Sequence, residues 1–436
     1  MQLQQEIRCN MVNLNNSKIC VVGLGYVGLP LFLAFSKKHK DVCGYDVDSD
    51  RILQLQKRND CNKEILGEKL NLRNGNFFTN KIEDIKKSNI YIFTLPTPIN
   101  SKKKPDITIL KIATKQISQF LKIGDIVIYE STVYPGLTEE VLIPIIEKHS
   151  KLKLNQGFFC GYSPERINPG DKKNTLENIT KIVSGSNREV CNFIYKLYKT
   201  IIKAKVYKAT TIKHAEAAKV IENVQRDINI SFINELAIFF NKIGIDTKEV
   251  IELASSKWNF IKYQPGLVGG HCIGVDPYYL TYKAKKENFT PKTILSGRKV
   301  NDEMSAYVSS QFINFLKKKY KKTKSKKVLI LGLSFKENCT DFRNTQVVKI
   351  ANILKKNNLK VDIFDPLVDA KKVYKEYNIK LLEKVSSKYH GVIICVGHEV
   401  FKKNFNQKKL QKFLYKKNVI YDLKWILKKN ENIETL

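Results

Sequence analysis

The chain has 436 residues, of which 43% are apolar and 27% are charged, and its formal net charge is +34. This length exceeds one ordinary hydrophobic core and predicts two or three domains of a soluble globular protein. The nine cysteines include no Cys-x-x-Cys pair, which argues against a disulfide framework and against a zinc site. We therefore predict no metal and a location in the reducing cytoplasm.

The positive charge and one apolar segment suggest nucleic acid or a membrane, but neither feature is specific. The charge is mostly lysine, and the densest run, residues 316–327, lacks interleaved aromatic residues beyond Tyr320. We expect a solvated linker there, and a positive field that attracts a phosphorylated substrate. The apolar segment 19–35 is interrupted by three glycines and Pro30. We therefore predict no nucleic-acid partner and no membrane or secretory segment.

A dinucleotide-binding pattern follows a polar lead-in of sixteen residues, which we expect to be disordered or loosely docked. Residues 18–22 form an apolar run typical of a buried parallel strand, and Gly23, Gly25 and Gly28 then open a helical stretch. The next predicted strand ends on Asp46. In this arrangement the glycines admit a pyrophosphate and the acid binds ribose hydroxyls, which predicts a Rossmann unit that prefers NAD to NADP.

Three more strands are predicted in this lobe, at residues 89–93, 125–129 and 158–162. The first two are followed by hydroxyl-rich turns, residues 94–98 and 130–136, and the third by Glu165 and Arg166. Because loops at the carboxyl ends of parallel strands line the ligand crevice, these turns favour cofactor contact. Glu165 and Arg166 become candidates for acid–base work and for binding an anion.

The longest helical pattern runs from Thr211 to Ile243 and ends at Gly244. Lys219, Asn223 and Arg226 share one face of this helix. The other faces are also largely apolar, which predicts a helix buried between domains or against a second subunit. A lysine and an amide on a buried helix need partners, and a ligand would provide them.

A second nucleotide-fold pattern begins at Lys327. The strand 327–332 ends in glycine, the strand 361–366 carries an acid near its end, and a further strand covers 391–396. We predict an α/β protein with two Rossmann-like doubly wound lobes joined by a long central helix. The predicted domains are 1–208 for NAD, 209–315 for dimerisation and the Cys loop, and 316–436 for the second nucleotide. Two such lobes suggest two nucleotide ligands with chemistry between them.

The stretch from Gly269 to Leu280 contains a candidate nucleophile. Cys272 follows Gly-Gly-His and precedes Asp276. A nucleophilic thiol suits a reaction in which an aldehyde is captured as a thiohemiacetal, oxidised to a thioester and hydrolysed to an acid. In that reaction Lys219 and Asn223 would stabilise an oxyanion, Asp276 and Thr132 would order a water, and Glu165 would assist hydrolysis.

The motifs GLGYVGLP, LPTP, STVYPG, SPER, AEAAKVIEN, GGHCIGVDP and GLSFKENCTDFRN occur in this order. From about Lys18 onwards the chain resembles the UDP-glucose/GDP-mannose dehydrogenase family. The resemblance implies a dimer formed through the central helix, and oxidation of a nucleotide sugar at C6 to a uronic acid with two NAD⁺.

The resemblance also implies roles for residues at matching positions. The implied catalytic residues are Cys272, Lys219, Asn223, Asp276, Glu165 and Thr132. The implied cofactor contacts are Gly23, Gly25, Tyr26, Val27, Gly28, Asp46, Arg51, Thr97, Ser131, Thr132 and Arg343. The implied substrate contacts are Glu165, Arg166, Lys219, Asn223, Tyr263, Gly266, Gly270 and Lys336.

Three departures from the UDP-glucose members narrow the substrate. His271 replaces a serine, Val275 replaces a lysine, and Pro169 stands where a cofactor-contacting acid is expected. The Cys loop, with IENVQRDINI and KWNF, resembles the branch that acts on UDP-N-acetylhexosamines. We therefore favour UDP-N-acetylglucosamine or its galactosamine epimer over UDP-glucose, with the mannosamine epimer behind. Residues 257–266 are expected to shape the sugar pocket, and Lys257 and Lys262 are candidates for a cation contributed across subunits.

Several alternatives stay open at this point. A single-step NAD dehydrogenase would share the first lobe, and a basic nucleotide- or nucleic-acid-binding protein would lack turnover. His271 is expected to form hydrogen bonds within its loop, and Cys339 to be incidental. Trp258 is assigned to packing or to substrate stacking.

Overall fold

A computed structural model describes residues 11–60, 65, 70–73, 75–166, 175–321, 325–428 and 433–436. The chain divides into two compact units. The first unit comprises Met1–Glu222 and Tyr278–Phe289, and the second comprises Asn223–Pro277 and Thr290–Leu436. The division into three domains stays a prediction.

The first unit contains an eight-stranded sheet in the order β3-β2-β1-β4-β5-β6-β7-β8. Every neighbouring pair is parallel except β6 and β7. Its central strands are continuous apolar runs because both faces of a parallel sheet are covered. The strands are β1 (Ile19–Val22), β2 (Val42–Tyr45), β3 (Phe77–Thr79), β4 (Ile90–Phe93), β5 (Ile126–Tyr129), β6 (Phe159–Tyr162), β7 (Lys181–Gly185) and β8 (Val206–Lys208).

Helices connect these strands as expected for a doubly wound fold. They are α1 (Gly28–Lys38), α2 (Ser49–Gln56), α3 (Ile82–Ile85), α4 (Thr108–Ser118), α5 (Ile143–Ser150) and α6 (Arg188–Lys199). Short 3₁₀ turns cover Leu14–Asn16 and Leu176–Asn178, and a π-type turn covers Thr138–Leu142. Met11, Val12 and Leu14 pack against the core of this unit, so the described part of the lead-in is docked. Residues 1–10 lie outside the described residues.

The long helix α7 (Ile212–Ile243) confirms the predicted central helix. It ends at Gly244, whose φ of 74° lies in the left-handed region that glycine adopts readily. Three further helices follow, namely α8 (Thr247–Ala254), α9 (Asp276–Lys286) and α10 (Lys292–Lys319). Among the described residues, none of the helices combines the length and apolar character that crossing a membrane requires.

The second unit contains a five-stranded, all-parallel sheet in the order β10-β9-β11-β12-β13. Its strands are β9 (Lys327–Leu331), β10 (Lys360–Phe364), β11 (Tyr389–Ile394), β12 (Leu414–Asp422) and β13 (Ile433–Thr435). Its remaining helices are α11 (Val347–Lys356), α12 (Ala370–Tyr377), α13 (Glu399–Asn404) and α14 (Gln407–Gln411). The predicted α/β class, with parallel sheets in two lobes and a long central helix, is confirmed.

The lysine-rich run was wrongly predicted to be a linker from its first residue. Leu316 to Lys319 form the end of α10, and Leu316 is buried with Phe312 and Phe315 in the core of the second unit. These apolar residues recur at helical spacing, and lysines at a helix C-terminus interact favourably with its dipole. Residues 322–324 of the run lie outside the described residues.

Candidate active site

The glycine loop after β1 has the geometry of a dinucleotide site. Gly23 has a φ of 93°, and a Cβ on Gly28 would lie 1.7 Å from the carbonyl oxygen of Gly23. A Cβ on Gly25 would have no heavy atom within 4 Å. The loop is therefore tight where helix α1 meets the strand and open where a pyrophosphate would approach. Tyr26 and Val27, also predicted to contact the cofactor, lie between Gly25 and α1.

Asp46 lies at the end of β2, beside this loop. Its carboxylate accepts the backbone N–H of Leu24 at 2.8 Å and that of Asp48 at 3.1 Å. The side chain of Asp46 is half-buried, so acceptor capacity is left for ribose hydroxyls. Arg51, which was predicted to contact the cofactor, stabilises the same loop. Its Nε donates to the carbonyl oxygen of Leu24 at 3.0 Å. Its Nη1 pairs with Asp60 at 2.8 Å.

The two hydroxyl-rich turns after β4 and β5 are joined directly. Thr97 Oγ1 donates to the backbone carbonyl of Thr132 at 2.7 Å. Tyr279, in the same unit, donates from its hydroxyl to the carbonyl of Thr97 at 2.8 Å. Ser131, which precedes Thr132, is buried. These contacts hold Thr97 and Thr132 at the carboxyl edge of the sheet, where the cofactor is expected.

Glu165 belongs to a buried charge network that sequence reasoning missed. Lys181 Nζ lies 2.8 Å from Glu130 Oε2 and 3.0 Å from Glu165 Oε2, and the Tyr198 hydroxyl donates to Glu130. All four side chains are buried. Burial raises the pKa of Glu130 to about 7. Burial also opposes the charge of Lys181, but Glu130 and Glu165 outweigh it and hold the lysine pKa above its ordinary value.

Helix α7 presents Lys219 and Asn223 one turn apart, and both are buried. Arg226, which shares their face, donates from its guanidinium to the side-chain oxygen of Asn223. In the first unit, Arg166 forms an ion pair with Glu222. The predicted polar face of α7 is therefore a buried face, as the apolar character of its other sides indicated.

Asn223 and Asp276, which were predicted to be catalytic companions, lie in contact within the second unit. Asn223 Nδ2 donates to Asp276 Oδ2 at 2.5 Å. Asp276 begins helix α9, and its backbone N–H donates to the carbonyl oxygen of Cys272 at 2.9 Å. Cys272 is exposed, whereas the six other cysteines in the described part of the chain are buried. Cys272 therefore lies in the turn that leads into α9, four residues before its first residue.

The Gly-Gly-His segment packs on the loop after β9. Gly270 has a φ of 81°, and a Cβ there would lie 2.7 Å from the ring of Phe335. The side chain of Asn344 donates to the carbonyl of Gly270 at 3.3 Å. These contacts place Lys336, the predicted substrate contact, next to a residue that supports the Cys loop.

His271 and Arg343 converge on Asp341. His271 Nε2 lies 3.5 Å from the Asp341 carboxylate, and Arg343 donates to both of its oxygens at 3.0 and 2.7 Å. Burial disfavours ionisation of Asp341, but His271 and Arg343 outweigh it and hold the pKa of this carboxyl well below its usual range. Cys339 is buried, and its sulfur accepts the backbone N–H of Asp341 at 3.4 Å.

The predicted sugar loop is anchored at its end. Asn234 accepts the N–H of Gly266 at 2.8 Å and donates to its carbonyl at 3.0 Å. Tyr263 is half-buried. Trp258 is 98% exposed, so its assignment to packing within this chain is wrong. Lys257 and Lys262 are exposed, and Pro169 lies outside the described residues.

The missed residues share one property, which is that their partners are distant in sequence. Besides Lys181, the buried Glu216 accepts the backbone N–H groups of Gly136 and Thr138. Arg298 pairs with the buried Asp227 at 2.6 Å. Only Glu130 had a signal, because it follows β5 directly, at the start of a turn already assigned to the cofactor edge.

Three profiles of one family match successive parts of the chain. They describe the UDP-glucose/GDP-mannose dehydrogenase family, with its NAD binding domain at residues 17–202, its central domain at 213–303 and its UDP binding domain at 329–429. Together they cover most of the chain.

Curated relatives and a solved structure agree with these matches. The UDP-N-acetyl-D-glucosamine 6-dehydrogenase of Salmonella typhi is 51% identical over 96% of this chain and 98% of its own. The Pseudomonas aeruginosa enzyme of the same name is 49% identical over 95% and 98%. The structure of the Pyrococcus horikoshii UDP-D-ManNAc dehydrogenase superposes with a TM-score of 0.86 at 30% identity, over 96% of this chain and 98% of that chain.

Proposed function

This chain belongs to the UDP-glucose/GDP-mannose dehydrogenase family, and from that premise we propose that it oxidises C6 of UDP-N-acetylglucosamine to the carboxylate. The observation that carries the proposal is the placement of Cys272. It is an exposed thiol in the turn before α9, and the first residue of that helix, Asp276, binds Asn223. A single-step alcohol dehydrogenase would have no use for a thiol at this place.

The reaction proceeds through a covalent intermediate on Cys272. When bound, NAD⁺ accepts one hydride from C6 in each of two oxidations. The Cys272 sulfur adds to the C6 aldehyde, and the aldehyde oxygen gains a proton, which gives a thiohemiacetal. The second oxidation removes the hydroxyl proton and leaves a thioester. Water then attacks, the C–S bond breaks and the thiol returns, so one alcohol, one water and two NAD⁺ yield one carboxylate, two NADH and three protons.

The remaining residues stabilise charge and guide protons. Lys219 and Asn223 lie one turn apart on α7, and they are assigned to the oxyanion that develops on the C6 oxygen. Asp276 and Thr132 are assigned to ordering the water, and Glu165 to accepting its proton. The open glycine loop, Asp46 and the Thr97–Thr132 contact support our assignment of these residues to the cofactor site.

Among UDP-sugars, the N-acetylglucosamine derivative is favoured because relatives that act on it share about half of this sequence. A relative named for UDP-N-acetyl-D-mannosamine is only 32% identical. His271 contacts Asp341 directly beside Cys272, where UDP-glucose members carry serine. The product would serve as a precursor of a surface polysaccharide.

Initial rates on four UDP-sugars test this choice. With UDP-glucose, UDP-N-acetylglucosamine, UDP-N-acetylgalactosamine and UDP-N-acetylmannosamine at equal concentrations, we expect the highest kcat/KM for UDP-N-acetylglucosamine. Its galactosamine epimer should follow. A higher kcat/KM for UDP-glucose than for all three N-acetylhexosamines would contradict the substrate proposal.

A homodimer through α7 is part of the proposal. Ile221, Phe232, Phe239 and Ile243 are exposed and lie within one narrow stripe of this helix. An apolar stripe of this kind typically marks a protein interface. Light scattering should give twice the mass of the chain, and Phe232→Asp should shift it toward the monomer. A location in the cytoplasm is also part of the proposal, and it rests on the cysteine pattern of the sequence.

A further inference from the structure

We propose that Lys181 is a positioning residue that holds the Glu165 carboxyl group oriented for hydrolysis of the Cys272 thioester. This inference rests on the proposed function and deepens it. It assigns a role to a buried cation of the first unit, Lys181, which has no part in the mechanism described above.

Both oxygens of Glu165 are held by donors. Oε2 lies 3.0 Å from Lys181 Nζ, and Oε1 accepts the backbone N–H of Arg166 at 2.6 Å. Donors on both oxygens fix the orientation of this carboxyl group. Each oxygen still keeps a lone pair, so Glu165 can accept a proton from water.

Water cannot take the place of the Lys181 amino group beside Glu165, because the site is closed to solvent. Lys181 is 3% exposed, and its amino group also contacts the carbonyl of Ser163 at 3.3 Å and the ring of Tyr198. Within this network one ammonium faces two carboxylates, so one negative charge is in excess. Burial raises the pKa of Glu130 to about 7, and the Tyr198 hydroxyl donates to Glu130. Lys181 therefore contacts both carboxyl groups at once, and Glu165 loses its side-chain donor if the amino group is removed.

The network also fixes the distance between two functional loops. Glu130 immediately follows β5 and precedes Ser131 and Thr132, whereas Glu165 lies on the loop after β6. Lys181 begins β7 and binds both carboxylates. It therefore ties the loop that carries the water-ordering Thr132 to the loop that carries the proposed base. General-base catalysis requires the base within hydrogen-bond reach of the water. Loss of the Lys181 contacts would therefore slow thioester hydrolysis more than the two oxidations.

The test compares Lys181→Met with Lys205→Met, a matched control on an exposed lysine next to β8. After rapid mixing with NAD⁺ and UDP-N-acetylglucosamine, both variants should release two NADH per active site in the first turnover. In Lys181→Met, intact-mass measurement after acid quench should show an acyl adduct on Cys272. Its decay should be at least about tenfold slower than in wild type, since general-base catalysis typically contributes a factor of this size or more.

Two further variants separate positioning from folding. Lys181→Arg keeps the positive charge and should restore most of the hydrolysis rate. Lys181→Met combined with Glu130→Gln removes one buried carboxylate together with the cation. It should fold better than Lys181→Met alone and still accumulate the adduct.

Adduct decay at the wild-type rate in the double variant would overturn the inference. So would equal losses of first-turnover NADH and steady-state rate without an adduct, because these indicate a purely structural role. The proposed function fails on different evidence, namely a wild-type protein that forms no NADH with any UDP-sugar.

Discussion

The loops after β1 and β9 share one hydrogen-bonding pattern but differ in how far their aspartate is accessible to a ligand. In each, a glycine with φ near 90°, Gly23 or Gly332, ends the strand. The residue after it donates its N–H to an aspartate at the end of the neighbouring strand. These bonds are Leu24 to Asp46 at 2.8 Å and Leu333 to Asp365 at 2.7 Å.

The two aspartates differ in their burial and in their number of hydrogen-bond partners. Asp46 is half-buried and keeps acceptor capacity toward solvent. Asp365 is 4% exposed and also binds the N–H of Ser334 at 3.0 Å and Nε2 of His398 at 3.1 Å. His398 accepts the N–H of Asn338 at Nδ1, so its neutral form carries the proton on Nε2 and donates it to Asp365 or Ser334.

The helices that follow diverge as well. Helix α1 begins at Gly28, whereas α11 begins only at Val347 after a long loop. The hydrogen bond between the residue after the glycine and the aspartate thus forms the strand exit in both lobes. Dinucleotide binding depends on the additional glycines, the immediate helix and the partly open acid. We therefore expect the same substitution to affect folding in one lobe and cofactor binding in the other.

The largest effect is expected for Asp365→Ala. It leaves the N–H groups of Leu333 and Ser334 and the imidazole of His398 without their buried acceptor, which should cost about 4 kcal/mol of stability. Thermal unfolding should show a much lower Tm than wild type, with the Asp46→Ala variant as the matched comparison. Equal Tm losses in the two variants would show that the two aspartates have the same structural role.

A second prediction uses pH to separate buried carboxyls of the two lobes. Burial raises the pKa of Glu216, in the first unit, to about 7. Burial opposes ionisation of Asp365 too, but His398 and the backbone N–H groups outweigh it and lower the pKa of Asp365. Glu216 therefore binds its proton more tightly when folded, and its contribution to stability falls as pH rises from its ordinary value toward about 7. Asp365 contributes at neutral pH, and its contribution falls as the solution is acidified below its ordinary pKa.

For Glu216→Ala, the stability deficit relative to wild type should therefore shrink as pH rises. Linkage places the change at about 3 kcal/mol between about pH 4.5 and pH 7. Tm measured for both proteins at about pH 5 and about pH 8 checks the sign. A deficit that grows with pH would show that Glu216 is buried as an ion.

A smaller effect is expected for Asp46→Ala, and it should appear in binding. Loss of the ribose acceptor should raise KM for NAD⁺ about tenfold, or about 1.4 kcal/mol, with kcat and Tm little changed. Steady-state kinetics with varied NAD⁺ measure the change, and KM for the UDP-sugar provides the control. An unchanged KM for NAD⁺ would remove Asp46 from the cofactor site.

Residues whose roles follow from local pattern were predicted, and residues whose roles follow from distant contacts were not. The strand exits, the glycine loop and helix α7 follow from local apolar runs and glycine spacing, and all are present. Asn223 and Asp276 were each predicted to be catalytic from their residue types and motifs, and the structure brings them into contact.

By contrast, nothing near Lys181 in the sequence indicates that it is buried between two carboxylates. Glu216 likewise gains its role only when residues 136–138 fold against it. The linker prediction was wrong because it considered the charge of the lysine run and not Leu316, which continues the buried face of α10.

The proposed reaction is a four-electron oxidation through Cys272. The most direct measurement counts NADH formed per UDP-N-acetylglucosamine consumed, in wild type and in Cys272→Ala, with the product identified by mass. We expect two NADH and the uronic acid from wild type, and no uronic acid from Cys272→Ala. One NADH per sugar, none at all, or uronic acid from the variant at the wild-type rate would contradict the account.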